Sequence, residues 1–105
     1  MRKVPQVLIM YNLKADADSR EYERWSLAVD QPAVRTLPSV VDLTSFRVVG
    51  KTSGAPSYQF VEIIQVTSLE AFQADLEAPY LRHVMDRWLD YVAEYEIVYL
   101  EEIQP

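Results

Sequence analysis

The 105-residue sequence contains no cysteine. That excludes disulfide scaffolds, thiolate metal sites, iron–sulfur clusters and cysteine nucleophiles. Histidine occurs once, at His83, so chemistry that needs two imidazoles would have to recruit another chain. Gly50 and Gly54 are the only glycines and fall in one turn, which leaves no glycine-rich phosphate loop. No apolar run approaches the ~20 residues that span a bilayer. The stretch Val7-Leu8-Ile9-Met10 is too short for a signal-peptide core and lacks a small-residue cleavage pattern after it.

What remains is an ordinary globular composition, half of it apolar, that fits one domain over residues 1–105. The net charge of −6 is unevenly spread, with +2 in residues 1–55 and −8 in residues 56–105. An acidic surface repels phosphate backbones, so neither nucleic acid nor an anionic membrane is an expected partner. A cytoplasmic protein is the expectation.

Val4 to Leu13 is β-branched and apolar and reads as a strand that ends in a turn-rich segment, Asn12 to Asp18. Asp18 or Ser19 can cap a helix, with Glu21 completing a capping-box pattern. The stripe Tyr22, Trp25, Val29, Ala33 has helical spacing. Pro32 predicts a break near Asp30, with one further turn before Leu37-Pro38. Val40–Val49 and Tyr58–Val66 read as strands joined by a long hairpin loop over Gly50–Ser57. Thr67 or Ser68 caps the next helix, on which Leu69, Phe72 and Leu76 share a side. Pro79 interrupts it, and Leu81, Val84, Met85, Trp88, Leu89 and Val92 form the clearest periodic stripe. Glu96 to Glu102 alternates as a final strand. The order β-α-β-β-α-β predicts an α+β, ferredoxin-like four-stranded antiparallel sheet.

Both faces of that sheet are apolar. Val7, Ile9, Tyr11 and Leu13 alternate with Leu8 and Met10; Phe60, Ile64 and Val66 alternate with Val61 and Ile63; Ile97 and Tyr99 alternate with Val98 and Leu100. Two helices cover one face only, so a second copy of the chain is expected on the other, giving a homodimer, sheet against sheet.

Several strings, in this order, carry a resemblance: Arg20-Glu21-Tyr22-Glu23-Arg24-Trp25, Asp30-Gln31-Pro32-Ala33-Val34-Arg35, Leu37-Pro38-Ser39-Val40, Phe46-Arg47-Val48-Val49-Gly50 and Tyr58-Gln59-Phe60-Val61-Glu62. The sequence resembles the small REDY-like proteins typified by HapK, within the dimeric α/β-barrel superfamily, over nearly its whole length. None of these strings is a catalytic signature; the specificity lies in their order. The resemblance implies a role in the biosynthesis of prodigiosin-type tripyrrole pigments, on the bipyrrole aldehyde branch. It implies either an accessory or ligand-binding protein, or a cofactor-independent monooxygenase or cyclase acting on an aromatic or polyketide-like intermediate. Fold membership alone does not choose between them.

Residue by residue, the candidates are few. His83 falls opposite the inner stripe of its helix, with Arg82, Asp86, Arg87 and Asp90, and reads as a surface histidine. Arg47 and Glu62 sit within apolar strands on one face. They read either as an ion pair between neighbouring strands or as polar anchors in a small-molecule site, where Glu62 would have a raised pKa and accept a proton. Asn12 reads as a turn residue or as an amide that orients a ligand. Asp30, before Gln31-Pro32, reads as a helix-terminus or turn carboxylate and not as a base. Trp25 and Trp88 lie on inner stripes and read as core; with Tyr58 and the other tyrosines they would line any pocket for a flat aromatic or pyrrolic ligand. No metal-ligand spacing recurs, so no metal and no cofactor is expected, and the partners in view are a second copy, an aromatic or pyrrolic small molecule, or a pathway enzyme.

Overall fold

Alternating apolar residues draw Gln6–Leu13 into the first strand, β1. The computed structural model describes residues 5–105, so Val4, expected in that strand, lies outside the described residues. Asp18 caps α1 (Ser19–Trp25), its Oδ1 accepting from the backbone N–H groups of Arg20 at 2.9 Å and Glu21 at 3.4 Å. The expected break near Asp30 does not occur. Instead a π-helical turn, Ser26–Asp30, leads directly into α2 (Gln31–Arg35).

The hairpin strands are β2 (Val40–Arg47) and β3 (Phe60–Val66). Both stop short of the expected bounds, since beyond Arg47 a bond from Val48 N–H to the Gln59 carbonyl, 2.8 Å, continues the pairing before the chain leaves for the loop. In that loop Gly54 holds φ +75° and Pro56 offers no N–H to a ladder. Ser68 caps α3 (Leu69–Asp75), its Oγ accepting from Ala71 N–H at 3.0 Å. Pro79 opens α4 (Pro79–Tyr91), where its missing N–H costs nothing. The last strand, β4 (Val92–Leu100), starts four residues before the expected Glu96 and ends before Glu102. Val92 turns extended directly at the helix end and pairs with Leu13, past a register shift between Asn12 and Leu13.

All pairings are antiparallel in the order β2-β3-β1-β4, the ferredoxin-like arrangement. The helices cover one face, and two clusters fill the interior. One is aliphatic, with Val7, Val34, Leu43, Ile64, Phe72 and Leu81 at its centre. The other is aromatic, built on Tyr11, Tyr22, Phe60 and Trp88. On the opposite face Ile63, Leu8 and Val98 align across three strands, as do Phe46, Val61 and Met10. Among the described residues no helix covers that face, and Phe46 and Val98 are exposed.

Two residues of the expected inner stripes, Val29 and Leu89, are each 43% exposed. For Val29 the π-turn is the cause, because one extra residue per turn rotates the helix beneath it. Val29→Ser is therefore expected to change stability by less than about 0.5 kcal/mol, whereas Leu81→Ala, at a fully buried position, should cost about 2–5 kcal/mol. Urea denaturation of the two variants checks this.

Candidate functional site

In the π-turn the N–H of Gln31 bonds to the carbonyl of Ser26, five residues back. Proline at 32 supplies no N–H, and in a regular α-helix its ring would press on the carbonyl of Ala28. The widened turn just upstream accommodates it without a break. The buried series becomes Tyr22, Ser26, Asp30 and Val34, a step of four at each point, in place of Tyr22, Trp25, Val29 and Ala33. A carboxylate thereby enters the interior. Asp30 is 4% exposed, which corrects its reading as a helix-terminus carboxylate.

A second carboxylate meets it from the sheet. On β3 the inward residues are Phe60, Glu62, Ile64 and Val66, so Glu62 stands mid-strand, between Ser45 of β2 and Ile9 of β1. It too is 4% exposed. Asp30 and Glu62 line one cavity of about 70 Å³, walled by Ile9, Met85, Trp88, Ile97 and Tyr99 among others. Among the described residues neither carboxyl group has a hydrogen-bond or ion-pair partner. Burial alone pushes Asp30 from 3.8 up to about 6. Burial, with the charge of Asp30 added, pushes Glu62 from 4.5 up to about 8, against a smaller opposing effect of Arg35. At neutral pH the pair therefore holds one proton, on Glu62.

The aromatic cluster closes one end. The Tyr11 and Tyr22 hydroxyls lie 2.7 Å apart, and Trp88 Nε1–H donates to Tyr22 Oη at 3.2 Å. Burial pushes both phenols above the ordinary tyrosine range, so they stay neutral donors. A separate groove of about 200 Å³ is lined by both tyrosines, Ser26, Gln31, Ser45 and Arg47. Gln31 Nε2–H donates to Ser26 Oγ at 3.2 Å, while Ser45 Oγ is buried without a partner among the described residues.

The expected Arg47–Glu62 ion pair does not form. The two residues share a face two positions apart, but Arg47 lies at the strand end and binds Glu23 of α1 through Nε (3.1 Å) and Nη2 (2.5 Å). Solvent access favours that exposed pairing over burial of a guanidinium. The Asn12 amide ties β1 to the hairpin loop, donating to the Ser57 carbonyl and accepting from Gln59 N–H, both at 2.9 Å. Tyr58 donates to Glu96 at 2.7 Å outside the cavity. Trp25 is half-buried against Tyr22 and Tyr91, and Trp88 is buried in the cavity wall. His83 is exposed. Of the sequence candidates, Glu62 and Trp88 thus meet at one cavity, whereas Asn12, Arg47, Tyr58 and Trp25 do not line it. The residues that sequence reasoning missed are Asp30, Tyr11, Ser26 and Gln31. For Ser26, Asp30 and Gln31 the signal was Pro32 inside a helical pattern, which marks a widened turn as readily as a break, and for Tyr11 it was the inward alternation of β1.

A raised carboxyl pKa favours the fold only while the group is protonated. Its contribution is full below the ordinary values near 4 and is lost as pH rises through about 6 for Asp30 and about 8 for Glu62. Glu62→Gln, which carries no proton to lose, should flatten this decline. Between pH 5 and pH 8 the parent chain is expected to lose on the order of 2 kcal/mol more stability than the variant, as read from denaturant midpoints at each pH.

Among curated proteins, none matches the sequence. Solved structures do. HapK from Hahella chejuensis superposes with a TM-score of 0.77 at 25% identity, over 95% of this chain and 94% of that one. A dimeric ferredoxin-like protein of unknown function from Thermobifida fusca gives 0.73 at 13%, over 93% and 90%. A variant of SnoaB, a cofactor-independent oxygenase from Streptomyces nogalater, gives 0.74 at 18%, over 100% and 97%. The last two likenesses are of fold. A family profile described as REDY-like protein HapK matches residues 5–103, and on that match the chain belongs to the REDY-like HapK family.

Proposed function

We propose that the protein is a cytoplasmic, homodimeric accessory protein of prodigiosin-type pigment biosynthesis that binds an aromatic or pyrrolic intermediate between its helices and its sheet, without a cofactor. The observation that carries this reading is the pair of buried carboxyl groups, without a hydrogen-bond or ion-pair partner among the described residues, in an otherwise apolar cavity. Buried polar groups without partners are costly, and convergent polar groups in an apolar hollow are the usual make-up of a small-molecule site. Membership of the HapK family supports the biosynthetic setting. Dimerisation is supported by the uncovered apolar sheet face and by the fold's occurrence in dimeric proteins.

A second reading is favoured by Glu62 alone. Once ionised, as pH rises toward and beyond its pKa of about 8, Glu62 is a strong general base, and deprotonation of a phenolic or pyrrolic substrate is a first step open to a cofactor-independent oxygenase or cyclase. Under this reading Glu62→Gln should slow oxygen uptake with a hydroxylated aromatic by about 100-fold or more. An unchanged rate would rule the catalytic role out.

Binding is tested by titrating the dimer with a bipyrrole aldehyde and following tryptophan fluorescence. Quenching is expected, since Trp88 lines the cavity, and Leu76→Phe, which fills it, should abolish the effect. A chain that shows no quenching up to millimolar ligand does not bind as proposed. Sedimentation should give the mass of two chains, and Ile63→Glu on the open face should shift it toward one.

A further inference from the structure

We propose that the separate groove between the π-turn and the edge strand β2 is a second ligand site, which takes the carboxylate of a small monocarboxylic acid with an apolar body. This goes beyond the proposed function, which uses the cavity that holds Asp30 and Glu62; neither of those residues lines the groove.

Hydrogens outnumber acceptors along this groove. Tyr11 and Tyr22 line it with their hydroxyls 2.7 Å apart, and Tyr22 Oη already accepts from Trp88 Nε1–H at 3.2 Å. Two phenol hydrogens serve a single contact between the rings, so one O–H is left to place. Ser26 Oγ accepts from Gln31 Nε2–H, and its own hydrogen meets no acceptor among the described residues. Ser45 Oγ is buried and has no partner among them. Water reaches these groups poorly, since Tyr11 and Tyr22 are each 1% exposed and Ser26 5%, and buried polar groups left unpaired are costly. Arg47 adds positive charge at the strand end. Its Nε and Nη2 face Glu23, which leaves the Nη1 hydrogens for a second acceptor. The Gln31 side-chain carbonyl can take one of these hydrogens and leaves the rest.

That excess selects the chemistry of the ligand. An amide or an alcohol brings a hydrogen of its own to a surface that already has too many. A ketone offers a single oxygen and no charge for Arg47. A carboxylate brings two oxygens, about four lone-pair sites and no hydrogen, and charge-assisted bonds to it are roughly twice as strong as neutral ones. Glu23, the carboxylate that lines the groove, is already engaged by Arg47. The walls set the rest of the molecule. Buried Phe60 lines the groove, as do the exposed Leu27 and Phe46, so an apolar body is matched. At about 200 Å³ the groove falls short of the ~300 Å³ at which sites for drug-sized ligands begin, which suits one ring or a short branched chain.

The test titrates the full-length protein near neutral pH with benzoate, benzamide and acetophenone, probes of closely similar shape, following assigned amide shifts by heteronuclear NMR. Benzoate should shift Ser26, Gln31 and Ser45 and bind about tenfold or more tightly than either neutral probe. Ser45→Ala should weaken benzoate about tenfold. Arg47→Gln, at an exposed position, should bring benzoate to within about threefold of acetophenone. Leu76→Phe, which fills the other cavity, should leave benzoate binding unchanged, so that this site and the proposed function are tested apart. Equal affinity of the parent chain for benzoate and acetophenone overturns the carboxylate assignment. Shifts centred on Ile9, Met85 and Ile97, or an unchanged affinity in Ser45→Ala, overturn the groove as the place of binding. Absence of any shift at the highest soluble benzoate concentration overturns the second site and leaves the cavity reading untouched.

Discussion

The hydrogen bond from Gln31 N–H back to the Ser26 carbonyl closes one residue later than an α-helix would, and the burial of Ser26, Asp30 and Gln31 follows from it. With a regular turn, Val29 would face the sheet and Asp30 the solvent, and the interior would hold a single acid. The wide turn reverses that choice. It places Ser26, Asp30 and Gln31 along the buried side, in line with the inward residues of β3. Local backbone geometry, set in motion by a proline two residues beyond the turn, thus decides the electrostatics of the core.

The cavity occupies the seam between two kinds of packing. On one side Tyr11, Tyr22, Phe60 and Trp88 lock together through edge-to-face and stacked rings and two buried hydrogen bonds. On the other, branched aliphatic chains around Ile64 and Leu81 fill space without directional bonds. Ile9 and Met85 pack against both clusters and also line the cavity. An aromatic wall fixed by hydrogen bonds and an aliphatic wall free to adjust suit a site that must hold a flat ring and still admit it.

The element order, the caps at Asp18 and Ser68, and the two apolar faces of the sheet could be read from the chain, because each rests on short-range periodicity or on capping chemistry. Glu62 was equally legible, as a charge at an inward strand position. Asp30 was not. A period of 3.6 residues assigns faces only while the helix keeps that period, and the π-turn breaks the rule within one turn. Arg47 shows the complementary failure. Its face was right, but its partner depended on how far Glu23 of α1 reaches over the sheet edge, a distance in space that strand alternation does not encode. The start of β4 escaped for a similar reason, since Val92 carries the same apolar character whether it ends a helix or begins a strand.

The passage from α4 into β4 has no connecting residues, and Val92 serves as helix cap and first strand residue at once. Chain length is therefore quantised at this joint. An insertion of one residue would turn Ile97 and Tyr99 away from the cavity and bring Glu96 and Val98 toward it, because alternate residues of a strand point to opposite faces. The hairpin between β2 and β3, with its twelve-residue span, can absorb such changes with little effect on the sheet. Evolutionary drift in length is thus channelled to one end of the sheet, and the other end behaves as a fixed ruler that sets the cavity's open rim.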